Sequence, residues 1–190
     1  MNPQIEIRYN KFLDPIFKGW ILAQPQWKDW VCPSLEEVLD KTEKYKNEWR
    51  KYEEKILGGI TLATGLKFKR NYIDVFVVSG NLRPFSRPVV LKSTYDLDQF
   101  INIITHELIH CLFSDNRISE DKKDPYPENK HILLHAVLKY IYLDILNEPE
   151  RLKLNIKMSS ESKNPEYISA WNEIGKLGYK EILVKIKETS

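Results

Sequence analysis

The four histidines of this chain fall into two pairs, His106 with His110 and His131 with His135, each spaced i, i+4. Residues four apart share one face of an α-helix, so two segments are constrained at once: each must be helical and turn both imidazoles to one side. The first pair belongs to His106-Glu107-Leu108-Ile109-His110, in which Glu107 stands about 100° round the helix from His106. Leu97, Phe100, Ile101, Ile104, Leu108, Cys111 and Leu112 recur on or beside one face, so the helix is expected from Asp96 to about Ser114. A polar loop, Asp115 to Pro125, leads to Pro127-Glu128, which suits a helix first turn; a second helix is expected over roughly 128–146. The short loop makes the two helices antiparallel. His110 lies four residues before the first helix's expected end at Ser114, and His131 four after Pro127, the earliest expected start of the second. At about 1.5 Å of rise per residue each stands about 6 Å from the loop, so the two meet at one level.

The rest of the chain supplies a frame. Ser34-Leu35-Glu36-Glu37 has the form of a capping box, opening a long helix in which Leu35, Val38, Leu39, Tyr45, Trp49, Tyr52, Ile56 and Leu57 recur. Gly58-Gly59 or Gly65 is expected to end it. Tyr72–Val78 is rich in β-branched and aromatic residues and reads as a strand. Val89–Lys92 reads as a second, with Pro84 and Pro88 before it marking an edge. Residues 1–33 carry Pro3, Pro15, Pro25 and Pro33 without a clean period and are expected to form an irregular arm. Residues 34–146 make the core. Residues 147–190 make a helical appendage of two or three short helices, broken at Pro149, Asn164-Pro165 and Gly178. The expectation is a single α+β domain of 190 residues.

Composition narrows the partners. The formal net charge is +2, with 29 basic and 27 acidic residues, so there is no basic footprint for nucleic acid. No stretch approaches eighteen apolar residues, and Met1–Asn10 lacks a basic start followed by an apolar run, so neither a membrane span nor a signal peptide is expected. Cys32 and Cys111 are too few for a disulfide framework and fit a reducing, cytoplasmic setting. Lys176, Lys180, Lys185 and Lys187 read as a solvated helix face.

A hydrolytic zinc site needs neutral imidazole ligands, an open coordination position for water and a nearby base. His106 and His110 are candidate ligands and Glu107 the candidate base, with His131 and His135 as further ligand candidates for one zinc ion. Cys111 points about 100° away from His110 and reads as a small core residue. Two other readings stay open. Glu107-x-x-His110 and Glu128-x-x-His131 have the spacing of di-iron carboxylate bundles, with Glu48 and Glu53 as additional acids on the long helix. All four histidines could instead close a structural zinc site in a non-catalytic binding module.

The His-Glu-x-x-His helix, preceded by a small sheet with an edge strand and followed by a second ligand-bearing helix, resembles the zincin metallopeptidases, nearest their minimal gluzincin-like type. The resemblance covers about residues 72–146. It implies a zinc-dependent peptidase acting on a peptide or protein substrate, with Glu107 as general base. In gluzincins a glutamate about twenty residues after the second histidine is the third ligand, and an acid one turn later supports a ligand. His131 and His135 fall near those places. Both being histidine is a departure, although three histidines with water is an accepted zinc set. Of the two, height favours His131 as the third ligand, with His135 orienting a ligand from behind. The resemblance also implies a substrate strand along the sheet edge, here Val89 to Lys92, and Tyr126 is a candidate oxyanion donor.

Overall fold

The computed structural model describes residues 2–118, 125–126, 128–162 and 164–189. Its elements are α+β: strands β1 (Gln4–Tyr9), β2 (Tyr72–Val78), β3 (Phe85–Ser86) and β4 (Val89–Lys92), and helices α1 (Leu13–Leu22), α2 (Leu35–Thr64), α3 (Leu97–Asp115), α4 (His131–Tyr140), α5 (Pro149–Glu161), α6 (Pro165–Leu177) and α7 (Tyr179–Thr189). Two compact units are formed, Pro3–Tyr52 with Asn71–Leu108, and Glu53–Arg70 with Ile109–Ser190 and the first two residues. Helices α2 and α3 are each continuous through both. Among the described residues no helix is long and apolar enough to cross a membrane.

The first unit is organised by its sheet, ordered β1-β2-β4-β3. β1, β2 and β4 run parallel; β3 is antiparallel to β4. Ile5 and Ile7 lie beside Ile73 and Val75 and are buried with them, while the alternating Gln4 and Glu6 are exposed. The period of two therefore turns one apolar face inward. Residues 1–33 are not the irregular arm that was expected, since they contain β1, α1 and a short 3-10 turn at Pro25–Trp27. Four prolines obscured them. Pro15 sits in the first turn of α1, where a missing N–H costs nothing. The expected edge strand is also corrected. Val89–Lys92 lies between β2 and β3, because the two-residue β3, hidden between Pro84 and Pro88, covers its outer side at Val89 and Val90.

Side chains fasten this unit. Asp14, 2% exposed, accepts hydrogen bonds from Ser79 N at 2.6 Å and Ser79 Oγ at 3.0 Å, and pairs with Lys18 Nζ at 3.0 Å. It thus ties α1 to the end of β2. The capping box forms as expected: Ser34 N donates to Glu37 Oε2 at 2.7 Å and Glu37 N to Ser34 Oγ at 3.2 Å. Tyr45 stacks on Phe100, centroids 4.0 Å apart, and its hydroxyl donates to Tyr95 O at 2.7 Å.

In the second unit α4 packs against α6 and α7. Its residues Ile132 to Leu138 are all buried, which is why the segment has no clean amphipathic period. α2 ends at Thr64, and Gly65, at φ +73°, takes the left-handed position that favours glycine. α5, α6 and α7 are separated at Pro149, Asn164-Pro165 and Gly178, the expected breaks. The helix expected over 128–146 instead starts at His131 and passes at Ile141–Ile145 into a π-helical turn. Pro127, one of the two residues on which the expected start rested, lies outside the described residues.

Candidate metal centre

His106 and His110 stand one turn apart on α3, and His131 opens α4. One ring nitrogen from each of these three histidines lies within 4.8 Å of the other two, close enough to bind a common metal ion. It is the single such group of histidine, cysteine or carboxylate side chains among the described residues. The His110 and His131 rings meet edge to face at 5.5 Å. The helix begins at His131, four residues after Pro127, so the heights argued from Pro127 do not apply; His131 reaches the cluster from the first turn of α4.

The fourth histidine is placed differently. His135 is 1% exposed and outside the three-nitrogen group; its ring lies 5.7 Å from that of His131 and stacks on Trp171 at 4.6 Å. Burial, then the neighbouring His131 and His110, holds its pKa well below the ordinary histidine value. His131 is likewise held low by burial, against the pull of Glu166. Both shifts favour the neutral imidazole, the form a metal requires.

Glu107 follows His106 on α3 and is 5% exposed; burial pushes its pKa up to about 8. A cation at the histidine cluster would favour its charged form. Cys111 is buried, a core residue rather than a member of the group. Tyr126 is 7% exposed, with Lys185 Nζ 5.1 Å from its ring centre. Glu48, largely covered, pairs with the exposed Lys51 on α2 and is not in the group.

Three residues that the sequence did not single out surround the second histidine pair, all on α6. Glu166 Oε2 lies 3.1 Å from His131 Nδ1, the Tyr167 ring 4.5 Å from that of His131, and Trp171 covers His135. The only local signal was Asn164-Pro165-Glu166, which marks a helix start and says nothing of what that helix faces. Compared with protein-family models, curated proteins and solved structures, the chain has no match.

Proposed function

We propose that this chain is a zinc metallopeptidase of the zincin type, in which His106, His110 and His131 hold one zinc ion and Glu107 is the general base. One observation carries the reading: a third imidazole, from a separate helix, joins the pair of the His-Glu-x-x-His motif, with their nitrogens within 4.8 Å of one another. Three imidazole nitrogens are a set that zinc accepts, and three protein ligands leave one coordination position open, as hydrolysis needs. Among the described residues the group is all imidazole, with no carboxylate in it, which supports zinc over a carboxylate-bridged iron pair.

When bound, the ion supplies the Lewis acidity that polarises a scissile carbonyl. Glu107 takes the proton of the attacking water as the C–O bond forms, then delivers it to the amine as the C–N bond breaks. Its burial keeps bulk water from competing for that proton.

The test is Glu107→Gln, which keeps the side chain's shape and removes its basicity. Zinc-loaded wild type is expected to cleave members of a peptide library, read by mass spectrometry. The variant should hold the same zinc and cleave at least about 100-fold more slowly. Equal rates, or a zinc-loaded wild type that cleaves nothing in the library, overturns the proposal.

A further inference from the structure

We infer that Glu166, on α6, is the positioning residue for His131: its carboxylate accepts a hydrogen bond from Nδ1–H and so leaves Nε2 as the nitrogen offered to the metal. The inference rests on the proposed zinc site and adds a residue from the C-terminal segment to it. An imidazole that donates through one nitrogen to a carboxylate has its tautomer and ring angle fixed, and its other nitrogen becomes a better ligand.

The contact, 3.1 Å between Glu166 Oε2 and His131 Nδ1, is built into the backbone on both sides. Asn129 bridges the same two residues through their main chains: its Nδ2 donates to Glu166 O at 2.8 Å, and its Oδ1 accepts from His131 N at 3.0 Å. Glu166 is itself set by the start of α6, where Pro165 occupies the first turn and Glu166 N donates to Asn164 Oδ1 at 3.0 Å. One asparagine thus sets the spacing of the two chains, and a helix cap sets the direction of the acid. The Tyr167 ring, edge-on to His131 at 4.5 Å, limits rotation of the imidazole.

Glu166 is 61% exposed at its side chain, so substitutions there should leave the fold intact. Two measurements decide its role. Nitrogen NMR of metal-free protein, above the pH at which the histidines are protonated, should show His131 protonated at Nδ1 in wild type. Glu166→Ala should move the proton to Nε2, and Glu166→Asp should partly restore it. Zinc titration should show affinity lower by roughly 10- to 100-fold in Glu166→Ala, with partial recovery in Glu166→Asp. If zinc binds wild type and Glu166→Ala equally and the His131 tautomer is unchanged, the inference fails while the zinc site stands. If wild type takes up no zinc, the zinc site fails, and the tautomer still reports whether Glu166 holds the ring.

Discussion

The rings of His135 and Trp171 stack with centroids 4.6 Å apart and planes 17° from parallel. One histidine of the second pair is thereby committed to the packing of α4 on α6, while the other, His131, joins the cluster with His106 and His110. The i, i+4 pair on α4 thus divides between packing and the histidine cluster.

The two histidines should separate by mutation. His131→Ala is expected to lower zinc affinity far more than His135→Ala, whose effect should stay within roughly 10- to 100-fold. His135→Ala should instead cost about 2–4 kcal/mol of stability, because it empties a buried, stacked position. Calorimetric zinc titration and urea unfolding of the metal-free variants measure the two effects. Complete zinc loss in both variants would make His135 a ligand and favour a closed, structural site.

Acid should loosen the tie that Asp14 makes between α1 and the end of β2. Burial alone would raise its pKa, but the Ser79 N–H, Lys18 and the Ser79 hydroxyl outweigh burial and hold it below the ordinary 3.8. The unfolded chain then takes up the proton first. The contribution of Asp14 to stability is present above pH 3.8 and falls as pH drops from there through the folded value. Asp14→Asn should cost roughly 1–3 kcal/mol at neutral pH and show a shallower loss in that acid window. Parallel stability curves for variant and wild type would show that the carboxylate does not titrate as described.

Two glycines should respond to alanine with opposite signs. A Cβ on Gly58 meets nothing within 4 Å, so Gly58→Ala should stabilise α2 by roughly 0.5–1 kcal/mol. At Gly80 a Cβ would lie 2.7 Å from both Ile21 Cδ1 and Trp30 Cζ2, and Gly80→Ala should cost roughly 1–3 kcal/mol. Thermal unfolding of the two variants reads both signs.

What the sequence disclosed depended on the range of the interaction. Ser34 and Glu37 satisfy each other within one turn, so the start of α2 was legible, and Ser34→Ala should cost about 1 kcal/mol in the same unfolding assay. The motif helix was legible from its own periodicity, and strands β2 and β4 from their runs of β-branched and apolar residues bounded by glycine or proline. β1 had the alternation of Ile5 and Ile7 but only two apolar positions, and its strand is completed by pairing with β2 far along the chain. β3 is two residues long and has no period to detect. In the candidate site the histidines were visible as local pairs. Which nitrogen His131 presents depends on Glu166, 35 residues away, and no local pattern encodes that contact.

The account stands on one zinc ion held by three histidines, and metal content measures this most directly. Wild type loaded with zinc and dialysed should retain one zinc per chain by elemental analysis, and His110→Ala should retain essentially none, because it removes one of the three imidazole nitrogens that lie within 4.8 Å of one another. Wild type that retains no zinc, or that is isolated with two irons per chain, would contradict the account.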